Sequence, residues 1–113
     1  MNRCFLPQEP TRYDKALDLR KSTMDFTPAL QYGELVVCLP HNVSLFATHP
    51  VALALRERMA DFDKDDYLIA VGDPTLIGMA FHIALMKTGG KFNQLKWDRH
   101  TSRYLKLPID MEV

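Results

Sequence analysis

The stretch Tyr67 to Gly78, YLIAVGDPTLIG, interrupts an apolar run with Gly72-Asp73-Pro74-Thr75, the composition of a turn that delivers a strand into a helix. Two chemistries are open to it. A helix N-terminus carries free amides and the positive end of the helix dipole, which makes Gly72, Asp73 and Thr75 candidate binding residues for an anionic ligand. The same residues also serve structure alone: glycine allows the tight turn, Asp73 caps first-turn amides, and Pro74 presets φ at the first helical position. Neither GxGxxG nor a Walker-type GxxxxGK sequence occurs, so phosphate cradling has no specific motif behind it.

Other chemical groupings fall short of a site. His41 and Ser44, with Asp73, have the residue types of a nucleophilic triad, but no GxSxG elbow surrounds Ser44. Asp61 to Asp66, DFDKDD, places carboxylates at positions 1, 3 and 5 of a calcium loop, yet position 6 is Asp66 instead of glycine and position 12 is Gly72 instead of glutamate. A solvated acidic link is the expectation there. His41, His49, His82 and His100 stand at no metal-ligand spacing with one another or with Cys4 and Cys38. No catalytic residue, cofactor or metal is therefore assigned, and a non-enzymatic role is favoured.

Two surfaces remain. The segment TLIGMAFHIALMK leaves a helix almost no polar face, and a helix that is apolar all round must be covered all round. Its cover is either the N-terminal arm or another protein, and Met79, His82 and Met86, with Phe46 of the 41-50 loop, are the candidate partner-binding residues. The second surface is KFNQLKWDRHTSRYLKL, where Lys96, Arg99 and Arg103 are interleaved with Phe92, Trp97, His100 and Tyr104. Cations neutralise phosphates and exposed rings stack on bases, so this is the candidate nucleic-acid surface.

The elements that must position these groups follow from pattern. Leu35 to Leu39 and Tyr67 to Val71 are continuous apolar runs, the mark of strands covered on both faces. Helices are expected from about Pro50 to Phe62, burying Val51, Leu55, Met59 and Phe62, and from Thr75 to Lys87, stopped by Gly89-Gly90. Lys91 to Trp97 and Arg103 to Ile109 read as an antiparallel hairpin, with Leu105, Leu107 and Ile109 on its buried face. Residues 1-33, with Pro7, Pro10 and Pro28, read as an N-terminal arm carrying a short helix at Thr11 to Lys21, capped by Thr11 with Asp14 three residues on. The fold class is α/β: a small, mainly parallel sheet with two crossover helices, spread over residues 34-113.

Composition bounds the rest. The 113 residues are 47% hydrophobic and 25% charged with zero formal net charge, the make-up of one globular core. Charge is uneven, acidic over 34-66 and basic over 67-113, so the molecule is bipolar. The sequence has no apolar run of membrane-spanning length and no signal-peptide core, and a soluble cytoplasmic protein with reduced thiols is expected.

The phrases GELVVCLP, YLIAVGDPTLIG and LKWDRHTSRYLKLPI resemble those of short α/β proteins encoded by tailed bacteriophages, over about residues 33 to 109. The resemblance implies a phage-encoded protein acting in the bacterial host cytoplasm, where small chains work by binding host components. It carries over no activity and no site residue. The function expected is a non-catalytic interaction module that binds a host or self protein, as a homo-oligomer, through the second helix and the 41-50 loop. Nucleotide or nucleic-acid binding through the VGDPT turn or the basic hairpin is the alternative.

Overall fold

The computed structural model describes residues 2-112. A five-stranded sheet is built from β1 (Arg3–Gln8), β4 (Glu34–Leu39), β5 (Tyr67–Ile69), β6 (Lys91–Asp98) and β7 (Arg103–Asp110), in the order β4-β1-β5-β6-β7. All pairs are parallel except β6 with β7. Two helices cross over between strands, α1 (Thr48–Arg58) from β4 to β5 and α2 (Pro74–Thr88) from β5 to β6. This is the expected α/β architecture, with mainly parallel pairing and a C-terminal antiparallel hairpin.

The N-terminal segment departs from expectation. Residues 3-8 are not an arm but the middle of the sheet, hydrogen-bonded to β4 on one side and β5 on the other. Four consecutive residues, Cys4 to Pro7, are buried. Pro7 suits an arm better than a central strand, because it donates nothing to a ladder. It is tolerated because β5 has stopped pairing by then: the β1–β5 register ends at Phe5↔Leu68.

The helix expected at Thr11 to Lys21 is instead a hairpin of β2 (Thr11–Asp14) and β3 (Leu19–Ser22), a separate two-stranded sheet. Asp14 does not close a capping box. Its carboxylate accepts the Ala16 amide at 2.9 Å in a local turn, and Asp18 takes a positive φ of 51°, a conformation Asp tolerates better than most residues.

Alternation along the strands separates two cores. Phe5, Leu68 and Phe92 face the helices and pack with Val51, Leu55, Met59, Phe62, Leu76, Ala80 and Ala84. The four residues of the expected stripe are all buried, but α1 ends at Arg58, so Met59 and Phe62 follow it, and its N-cap position is Ala47, which offers no side-chain cap. Cys4, Leu6, Tyr67, Ile69, Leu95 and Tyr104 face the opposite way. They are covered by Phe26 and Ala29 of the segment that leads through a 3-10 turn, Thr27–Gln31, into β4.

The chain before β4 lies over the face opposite the helices, so it does not shield the outer side of α2. The strand β7 departs from its expected faces in part: Tyr104 is buried and Leu105 and Leu107 are 41% and 40% exposed, while Ile109 is partly buried against the first core as expected. Tyr32 explains the first half, since its hydroxyl donates to the Tyr104 carbonyl at 3.0 Å from the covered side.

Candidate functional site

Three regions bring sequence-singled residues together. The first is the crevice beyond the carboxyl ends of β1, β4 and β5. The chain turns from β4 on one side of β1 to β5 on the other, and α/β sheets bind ligands at such reversal points. Here it is a hollow of about 370 Å³ lined by Gln8, Glu9, Arg20, His41, Gly72 and Asp73, among others. Its helix terminus is already occupied. Asp73 accepts the Thr75 amide at 2.9 Å as N-cap of α2, and Pro74 opens the helix. Gly72, at φ 108°, makes the turn in a conformation that favours glycine. Among the described residues no group of three or more His, Cys, Asp or Glu side chains is placed to hold a metal ion.

The second region is the outer groove between α1 and α2. It has a volume of about 820 Å³ and is walled by Leu53 of α1 and Ala60 just past its end, and by His82, Ile83 and Met86 of α2, with Arg56, Glu57 and Lys87 as charged lining. Leu53 is 48% and Met86 71% exposed. His82 and Met86 are thus together, one turn apart. Met79 is not with them: it is partly buried against the first core. Phe46, 97% exposed, stands on the loop before α1 and does not line this groove.

The third region lies at the far end of β6. Lys96 and Arg99 border a hollow of about 370 Å³ with Trp97 and Tyr104. Arg103, opposite Asp98 in the hairpin register, is exposed and lies outside that lining. The Trp97 and Tyr104 rings meet edge to face, with centroids 5.1 Å apart.

Some groups escaped the pattern. Asp66 belongs to the link expected to be solvated, yet it is 2% exposed and accepts from Arg3 and from the Asp63 amide. Asp61, on the surface of the same link, is held below the usual carboxylate range by the Arg3 guanidinium. The β2–β3 hairpin, with Tyr13, Leu17 and Leu19 exposed, was hidden by its helix-like spacing. The Asp14 turn was the signal that marked it.

No helix among the described residues is long and apolar enough to cross a membrane. No curated protein and no solved structure matches the chain. The Phage Pam3 gp32-like protein family model matches residues 2-111, taking in the central N-terminal strand as well as the phage-like phrases that follow it. The chain belongs to the Phage Pam3 gp32-like protein family.

Proposed function

We propose that this phage-family protein is a non-catalytic interaction module whose α1–α2 groove docks a second copy of the chain. The observation that carries the reading is the uncovered outer side of α2. Met86 and Leu53 face outward across a groove of about 820 Å³, while the only N-terminal cover among the described residues lies on the other face of the sheet. Contiguous apolar surface of this kind marks interfaces.

A second copy fits the groove by charge. The groove carries both signs, Arg56 and Lys87 against Glu57. In a two-fold pair a contact between residues i and j is repeated between j and i, so a cation and an anion of one surface that meet across the axis pair twice. Zero formal net charge removes long-range repulsion between copies. Met86 is unbranched and adapts to an irregular surface, which suits it to fill the opposing groove.

The test is substitution at exposed positions that leave the cores intact. Met86→Glu and Leu53→Glu are expected to leave the circular dichroism spectrum unchanged and to lower the mass measured by light scattering. Folded variants with the same mass as the wild type would contradict the reading. A wild-type monomer that binds a host protein, with that binding abolished by Met86→Glu, would keep the surface but replace the occupant.

A further inference from the structure

The hollow at the end of β6 arises from unequal strand lengths. β5 pairs with β6 only as far as Ile69↔Leu95, whereas β6 continues to Asp98 with β7 alone beside it. Lys96, Trp97 and Asp98 therefore have no strand on their inner side, and the chain after Ile69 turns away toward α2. The resulting notch opens beyond the carboxyl ends of two parallel strands, where α/β sheets present their ligand sites.

Three features of the notch each ask for a different part of one ligand. Tyr104 lines it and is 1% exposed, and among the described residues its hydroxyl is a buried side-chain polar atom without a hydrogen-bond partner. Such an atom is destabilising until something bonds to it. Burial, with the nearby Asp25 carboxylate and Cys4, raises the Tyr104 pKa, so the hydroxyl keeps its proton and remains available as a donor. Trp97 is 37% exposed and is fixed by its edge-to-face contact with Tyr104, giving a pre-positioned aromatic surface. Met24 lies on the same lining and is partly buried against the second core.

The third feature is charge. Lys96 and Arg99 border the notch, and among the described residues neither is in an ion pair. The nearest acid in sequence, Asp98, is committed elsewhere: it accepts the Thr101 hydroxyl at 2.7 Å and the His100 amide at 3.0 Å. These bonds, the first above all, hold its pKa below the usual carboxylate range. Asp98 stays ionised, but Arg103 stands opposite it in the hairpin register, so Lys96 and Arg99 leave the notch net positive and able to attract an external anion.

We propose that the notch between β5 and β6 binds one nucleotide unit, its base on Trp97 and hydrogen-bonded to Tyr104, its phosphate between Lys96 and Arg99. A volume of about 370 Å³ lies at the small end of ligand sites, which span roughly 300–1,000 Å³, and suits one unit better than a dinucleotide. The unit is either a free nucleotide or one residue of a single strand, since the chemistry is shared. The site is independent of the α1–α2 groove, which lies on the helix-covered side of the molecule.

The experiment is a titration read by the fluorescence of the single tryptophan, with adenosine monophosphate, a ten-nucleotide single-stranded DNA and inorganic phosphate as separate probes. Quenching by the first two and not by phosphate is expected. A free-nucleotide site saturates with the monophosphate and gains nothing from the strand. A strand site binds the oligonucleotide more tightly, with a salt dependence that Lys96→Ala plus Arg99→Ala flattens. Tyr104→Phe retains the ring and the fold, and should weaken binding about tenfold, the value of one hydrogen bond to a buried group. Three results would overturn the proposal: no binding of either nucleotide probe by calorimetry, phosphate binding as tightly as the monophosphate, or affinity unchanged in Tyr104→Phe.

Discussion

Arg3 grips Asp66 with three donors: its backbone amide at 3.1 Å, Nε at 3.3 Å and Nη2 at 2.8 Å. Asp66 is nearly sealed from water and also accepts the Asp63 amide at 3.0 Å, so one carboxylate ties the start of the central strand to the turn that launches its neighbour. Removing one partner of such a pair strands the other's donors, which costs more than the intact pair contributes. Asp66→Ala should therefore lower unfolding stability by about 3 kcal/mol. Asp66→Asn, which keeps an acceptor but no charge, should cost roughly half as much. Urea denaturation measures both, and equal losses for the two variants would mean that charge plays no part.

Gly33 and Gly78 should respond in opposite ways to alanine. At Gly33, with φ 156°, an added Cβ would overlap the Asn2 carbonyl oxygen and lie 2.7 Å from its carbon, forcing apart the entry to the β1–β4 ladder. A loss of at least about 2 kcal/mol is expected from strain and lost register. Gly78, in the middle of α2, has nothing within 4 Å of the same position. Gly78→Ala should stabilise by about 0.5–1 kcal/mol through helix propensity. Paired thermal melts decide the contrast.

Burial pushes the Cys4 and Cys38 thiols up from 9.0 to about 11. The sign of the linkage follows. Well below pH 9 both states hold the thiol protons and stability is unaffected; as pH rises through 9 toward 11 the unfolded chain ionises first, so folding stability falls. Denaturation midpoints measured at pH 8, 9 and 10 should decline slightly over the first step and more over the second, and Cys4→Ala plus Cys38→Ala should reduce that decline. At neutral pH both thiols should resist alkylation until the chain unfolds, because the thiolate is the reactive form.

Much of this architecture was legible because apolar runs without alternation are hard to place anywhere but inside a covered sheet. LVVCL and YLIAV fall into that class, and Asp73-Pro74 marks the start of α2 by cap and proline together. The first strand was not legible, since CFLP is short and contains a proline that is acceptable only because β5 ends early. That dependence on a distant strand's length is invisible locally. The same mismatch creates the notch beside Trp97, so Lys96 and Arg99 were visible as a basic surface while Tyr104 as a buried, unpartnered donor was not. Which face of β7 is covered depends on where residues 24-32 cross the sheet, and the periodicity of β7 carries no trace of that.

The central claim is that the α1–α2 groove joins two copies, and sedimentation equilibrium over a range of concentrations, paired with hydrogen-exchange mapping, tests it most directly. A mass rising from 13.0 kDa toward twice that value is expected, with concentration-dependent protection confined to α1 and α2 around Leu53 and Met86. A mass that stays at 13.0 kDa at every concentration, or a dimer whose protection maps to β7 instead, would contradict it.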